Sequence, residues 1–254
     1  MSLAFDPIAD PWFYLAALPA ILITGISKGG FGGGVGIVAV PLMALVISPA
    51  EAAAIMLPIL ILMDVFGVWT YRRDFDRHAL GVMLPSAVVG IGIGGLLFGL
   101  LDVRLMRLLI GAIALAFVAH HFASGGRFAP ARRPSTWLGG LCGALSGFTS
   151  TLAHAGSPPA SLYLLPLRLD KSVFVATNVI FFAAVNLIKL VPYWLIGQFT
   201  AANLATSLVL APLAPLAMLA GIRLHHRIEP VTFYSLCYLF VALTGIKLIY
   251  DGLS

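Results

Sequence analysis

Of the 254 residues, 60% are hydrophobic and only 10% are charged, against about 25% charged in a soluble domain, so the chain lacks the polar residues needed to clothe a water-facing surface. The net charge of +5 comes from basic singles and pairs beside apolar runs; with no basic stripe interleaved with aromatics, a nucleic-acid partner is excluded in favour of anchoring at a membrane face. Cys142 and Cys237 lie inside apolar segments without CxxC spacing, which points to two small buried hydrophobes rather than a disulfide or metal site.

In chain order, the first apolar stretch follows Asp6 and Asp10 with no basic run before it, so it reads as part of the mature fold and not as a cleaved signal. Residues 12–27 and 35–47 are short for a span and are separated by Lys28-Gly29-Gly30-Phe31-Gly32-Gly33-Gly34. Runs of membrane-crossing length follow at 51–70, 79–101 and 104–122. The most loop-like stretch comes next, at 124–135, with Ser124-Gly125-Gly126-Arg127 and Ala131-Arg132-Arg133-Pro134. Two more short apolar pieces, 137–149 and 158–167, flank Ser150-Thr151-Leu152-Ala153-His154-Ala155-Gly156-Ser157, and long runs return at 173–194, 200–222 and 231–250. None alternates as a barrel strand would, so the spans are expected to be helices.

This plan is a duplication. A shift of 122 lays Gly25 on Gly147, Gly34 on Gly156, Tyr71 on Tyr193 and Asp64 on Asn186; with the shift grown to 126, Gly95 falls on Gly221. The expected units are a first membrane repeat at 1–123, a cytoplasmic linker at 124–135 and a second repeat at 136–254. Each Gly-rich pair reads as a re-entrant hairpin or two thin tilted spans. With three full spans per half, ten Lys and Arg fall on one side (Arg72, Arg73, Arg77, Arg127, Arg132, Arg133, Arg168, Lys171, Arg223, Arg227) and only Arg104, Arg107 and Lys247 on the other. Four spans per half would split them seven to six. The positive-inside rule favours the first plan, which inverts the halves and puts both termini outside.

Ser157-Pro158-Pro159 reads as a helix start with Ser157 as its cap, preceded by His154 and Gly156. Its counterpart, Gly32-Gly33-Gly34, precedes a helix and follows Lys28. Helix N-termini meeting at membrane depth would suit an anion, with Lys28 as the main charge, while the plainer reading of these glycines is close helix packing. Packing is the reading taken for Gly90, Gly92, Gly94, Gly95 and Gly99. The run from Gly29 is not a nucleotide loop, since no strand precedes it and GxxxxGK[ST] is absent. Asp64, Asn178, Asn186 and Lys189 lie inside spans, where an ionisable group costs at least about 2.5–3.5 kcal/mol unless it faces a partner or cavity. Lys189 shares a face with Asn186 or else reaches for the outer interface; Asp64 pairs structurally or takes part in a proton step. His120-His121 and His225-His226 are expected to be interfacial anchors, because neighbouring helical residues point about 100° apart.

The stretch Gly25-Ile26-Ser27-Lys28-Gly29-Gly30-Phe31-Gly32-Gly33-Gly34, with Pro41-Leu42-Met43 after it and a duplicated layout around a basic linker, resembles the sulfite exporter TauE/SafE family. The resemblance covers nearly the whole chain, and the first Gly-rich motif is its most specific part. The second copy carries Thr149-Ser150-Thr151 and His154 where the first has glycines. The family is often described with seven or eight spans, against six plus two hairpins from the charge count. The resemblance implies a multi-pass transporter of the bacterial inner membrane, for sulfite, sulfoacetate or other sulfonates; hydropathy and spacing give only an anion.

The expected fold is therefore an all-α integral membrane protein of two inverted repeats, each a broken Gly-rich hairpin plus three transmembrane helices. Its expected partners are a small anion and the lipid bilayer, with no cofactor and no enzymatic activity. The expected binding residues are Lys28, Gly32, Gly33, Gly34, His154, Gly156, Ser157, Asn186 and Lys189, with Asp64 beside them for proton coupling or structure. A passive anion channel is the competing reading. An intramembrane enzyme built on Ser150 or Ser157 with His154 is a third, but the sequence offers it no acid partner and no GxSxG elbow.

Overall fold

The computed structural model of the protein describes residues 6–33, 36, 39–98, 103–123 and 135–253. The described residues form helices and no strands: α1 (Pro11–Phe31), α2 (Ala39–Met43), α3 (Pro49–Tyr71), α4 (Arg77–Leu96), α5 (Val103–Ala123) and then, beyond the linker, α6 (Thr136–Ala153), α7 (Ser157–Leu164), α8 (Lys171–Leu195), α9 (Ala201–Leu210), α10 (Leu213–Arg227) and α11 (Pro230–Leu253). Residues 124–134 of the linker, and Gly34, lie outside the described residues.

The starts are written locally. Asp10 accepts from the Trp12 N–H ahead of α1, with Pro11 at the first helical position. Ser48 and Glu51 close a reciprocal capping box on α3, again before a proline, and Asp76 and Asp170 cap α4 and α8. Such caps satisfy N–H groups that have no partner within the helix. Four of the ten acidic residues are thereby committed to helix ends, which singles out Asp64, in mid-helix.

Helices α1, α3, α4 and α8 and most of α11 are long and apolar enough to cross a membrane, and α9 with α10 forms a sixth such unit bent by 46°. Two differences from the sequence expectation have plain causes. The run at 200–222 breaks between α9 and α10, where Pro212 supplies no N–H. The first Gly-rich segment does not interrupt its helix at Lys28: α1 continues through Gly29 and Gly30 for 21 residues, about 31 Å at 1.5 Å each. Those glycines are held in helix because α10 lies against them, and a Cβ on Gly30 would stand 2.8 Å from the Gly221 carbonyl oxygen.

All four tryptophans are exposed, Trp12, Trp69, Trp137 and Trp194, each close to a helix end. Trp12 opens α1, which is tied to α9 just beyond Trp194 by the Ile8 N–H to Thr206 Oγ1 bond of 3.0 Å. Trp69 and Trp137 share the opposite end, since Gly139 near the start of α6 touches Val82 near the start of α4. Two aromatic girdles at opposite ends of an apolar body are what the two lipid headgroup regions select.

Close glycine contacts give the helix directions. Gly111 lies against Gly245 and Ile249, and Gly252 against Leu108 and Arg104, so α5 and α11 run antiparallel. Contacts of Gly143 with Met83, Gly147 with Ala87 and Gly94 with Thr151 run in step, so α4 and α6 are parallel, as are α1 and α10 through Gly25–Ala217 and Gly30–Gly221. The packing reading holds at Gly90, where a Cβ would fall 1.9 Å from the Ala144 carbonyl oxygen, and at Gly94, whereas Gly92 meets nothing within 4 Å.

His225 corrects the anchoring expectation. It is buried, its Nδ1–H donating to Gly30 O at 3.1 Å and its Nε2 lying 3.1 Å from Ser172 Oγ, while His226 is exposed. The 100° between neighbouring helical positions puts one imidazole inside and leaves the other at the surface.

Candidate functional site

The ends of α1 and α6 are built alike. Helix α1 stops at Gly32 in the left-handed region (φ 70°), and the Gly33 N–H returns to Ser27 O at 3.0 Å. Helix α6 stops 122 positions later at His154, also left-handed (φ 52°), with Ala155 N–H returning to Thr149 O at 3.2 Å. The agreement extends to capping of the final carbonyls: Tyr71 Oη donates to Gly29 O at 2.8 Å, and Tyr193 Oη to Thr151 O at 2.8 Å, again 122 apart in both members. The carbonyls of a last helical turn have no partner within their helix, and a buried hydroxyl supplies one.

A left-handed histidine is strained by roughly 1–2 kcal/mol, and here two bonds hold it. His154 Nε2 lies 2.9 Å from Ala53 O. A carbonyl only accepts, so Nε2 carries the hydrogen, and Nδ1 is left to accept from Lys189 Nζ at 2.8 Å. Both ring nitrogens are thus engaged, and neither reaches a serine. Lys189 is fully buried and also donates to Ser150 O at 3.1 Å and Ser150 Oγ at 2.9 Å. It therefore does not reach for the interface. Its three contacts are all with neutral groups, and no carboxylate is among them.

The second buried ammonium is paired differently. Lys28 Nζ stands 2.7 Å from Asp64 Oδ1, and Asn186 Nδ2 donates to Asp64 Oδ2 at 2.7 Å. Asp64 and Asn186 are equivalent under the 122 shift, so these two residues meet each other where the halves meet. Lys28 and Lys189 thus bring two buried amines to a single carboxylate, that of Asp64.

A small cavity of about 40 Å³ lies between them. Lys28, Gly33, His154, Ser157 and Asn186 line it, and Lys189 stands behind His154 and Ser150. The two tips touch there, Ser157 Oγ donating to Gly33 O at 2.9 Å. Ser157 is not the cap of α7: Gly156 is, without a side-chain bond, because the hydroxyl is turned to Gly33. Pro158 and Pro159 lack N–H groups and Ala160 N–H returns to Gly156 O at 3.3 Å, so the start of α7 offers an anion fewer donors than an ordinary helix. Gly156 is close-packed, its carbonyl accepting from Ser146 Oγ at 2.7 Å, and Gly32 lies against Asn178.

Sequence reasoning passed over Thr24 and the apolar lining from Met56, Leu60 and Phe182, and weighed Ser150 only as a nucleophile. The 122 shift carries Lys28 onto Ser150, so the repeat itself pointed to the residue that receives Lys189. Among the described residues no three His, Cys, Asp or Glu side chains gather as a metal site would require.

These features define a multi-span helical membrane protein with a buried, ion-paired cavity beside the ends of α1 and α6. The family model for the sulfite exporter TauE/SafE matches residues 17–248. The chain belongs to that family. No curated protein and no solved structure matches it.

Proposed function

We propose that the protein is a carrier for small oxyanions of the sulfite and sulfonate class, exposing the central cavity alternately to the two sides of the bacterial inner membrane. The observation that carries this reading is the placing of two buried lysines around one carboxylate: Lys28 pairs with Asp64, while Lys189 meets Ser150 and His154 among the described residues. An anion entering the cavity would stabilise the protonated form of Lys189, which burial alone disfavours, and a sulfonate headgroup suits a cavity of this size. Lys28 would touch the anion from the cavity wall, and Lys189 would act through the two residues it holds. Net exchange of the Lys28–Asp64 pair for a Lys28–anion contact is the expected event on binding.

Alternating access is supported by the antiparallel course of α5 and α11 and by the bonds that recur at a shift of 122. Equivalent helices related by an axis in the membrane plane run antiparallel, as inverted repeats require. In this reading residues 1–123 and 136–254 are the repeats, joined by a cytoplasmic linker at 124–135, with both termini outside. An enzymatic role has less support, since both nitrogens of His154 are occupied and Ser157 is bonded to a backbone carbonyl; a nucleophile needs its base within reach.

The test is titration calorimetry of the purified protein against sulfite, sulfate, sulfoacetate, taurine and a plain carboxylate, with counter-flow in proteoliposomes. Saturable, sulfonate-preferring binding with counter-flow is expected. Uptake proportional to the gradient, without saturation, would replace the carrier by a channel. Reporter fusions at Gly126 and Ser254 should place the linker inside and the C-terminus outside; the same side for both would end the inverted plan.

A further inference from the structure

A second polar cavity lies where α5 begins and α11 ends. It offers about 290 Å³ to the centre of a water-sized sphere, and its charged lining is Arg104, Arg107, Lys247 and Asp251. Lys247 pairs with Asp251 one helical turn away, and Arg107 Nη1 reaches Asp251 O at 3.4 Å. Among the described lining residues three are basic and one is acidic. These are the three basic residues that the charge partition sets apart from the other ten, and all three converge on one cavity. The antiparallel packing of α5 on α11 brings them together.

The rest of the lining ties this cavity to the centre. Pro41, Ala44 and Leu45 also line it, while Gly36 and Ala39 line the central cavity. Helix α2 (Ala39–Met43) therefore contributes to both linings, with Ala39 in the central cavity and Pro41 in the outer one. Guanidinium groups bind the oxygens of a sulfonate or phosphate in pairs, and a charged recess raises the local concentration of counter-ions. We propose that this cavity is a second oxyanion site, a vestibule at which the transported anion gathers before or after the central cavity. The proposal rests on the transporter reading for the identity of its anion. The chemistry it recognises, a tetrahedral oxyanion, is also that of a lipid phosphate, so the test must separate a solute from a headgroup.

The experiment places a single cysteine at Ala44 in a Cys142→Ser, Cys237→Ser background, in phosphatidylcholine nanodiscs. Its modification by the sulfonate-bearing 2-sulfonatoethyl methanethiosulfonate is compared with that by the trimethylammonium analogue, each normalised to free cysteine in solution. The sulfonate reagent should be favoured about tenfold. Arg107→Gln should lower that preference and Asp251→Asn should raise it, opposite effects that a general folding defect would not produce. Equal rates for the two reagents, or no response to either variant, would overturn the site. Preference that vanishes when phosphatidylglycerol is added would assign the cavity to a lipid phosphate and overturn the solute vestibule. In proteoliposomes Arg107→Gln should raise KM for sulfoacetate several-fold with little change in kcat, and an unchanged KM would likewise overturn it. The cysteine rates require no transport, so an absence of saturable uptake by the unmodified protein would remove the transporter reading and leave the anion site standing.

Discussion

At the scale of single residues, the central trio makes opposing demands on stability and binding. Removing one partner of a buried ion pair costs about 3–5 kcal/mol, because the survivor keeps its charge without compensation. Asp64→Asn should therefore unfold at a markedly lower temperature in detergent, and added sulfoacetate should restore more stability to it than to the parent protein. Lys189→Met should behave in the opposite sense. It replaces a buried ammonium by an apolar chain of similar length, so thermal stability should hold or rise while anion affinity falls at least about tenfold. A Lys189→Met protein that binds sulfoacetate as well as the parent would show that Lys189 only orients His154. The left-handed backbone at His154 belongs to this scale too: its strain is offset by the bonds to Ala53 and Lys189, and the equivalent position in the first half uses Gly32, which has no Cβ to strain.

Among the helices, what matters is how the two hairpin ends are held. Tyr71 at the end of α3 and Tyr193 near the end of α8 each cap one carbonyl of a neighbouring helix, on Gly29 and Thr151. Phenylalanine at either position would leave a buried carbonyl without a partner, at a cost of about 1–3 kcal/mol. Tyr71→Phe and Tyr193→Phe should be destabilised by similar amounts in chemical denaturation, and the double variant by nearly their sum, since the two bonds share no atoms. A large loss in one and none in the other would show that the two ends are not equivalent. The seams on either side behave as rigid units for a related reason. Gly90 and Gly221 each bring a helix against backbone of its neighbour, where close approach without intervening side chains gives the dispersion contact that holds membrane helices together.

For the whole molecule, transport by alternating access requires that the tips part and rejoin. The bond from Ser157 to Gly33 marks where they touch, and a Cβ added at Gly33 would lie 3.4 Å from Ser157 Oγ. Cysteines at Gly33 and Ser157, in a background lacking Cys142 and Cys237, should form a disulfide that stops counter-flow, and dithiothreitol should restore it. Undiminished counter-flow in the oxidised protein would mean that the halves do not separate at this point.

Membrane class, the helical nature of the spans and the family were read from the chain alone, and the capped starts at Asp10, Ser48, Asp76 and Asp170 are as local in origin, although the sequence reading named only Ser157 as a cap. Each rests on short-range chemistry: hydrophobic length against bilayer thickness, or a side chain beside its own backbone. The 122 shift was visible as well, and it named Tyr71 with Tyr193 and Asp64 with Asn186 before any contact was known. What pairs with what was decided only in three dimensions. Lys28 found Asp64 36 positions away, Lys189 found Ser150 and His154, and His225 turned inward to Gly30 while His226 stayed outside. A buried charge takes whichever partner the packed helices bring within about 3 Å. That choice depends on helix direction and rotation, set by glycine seams such as Gly30 against Gly221, and spacing along the chain carries no record of them.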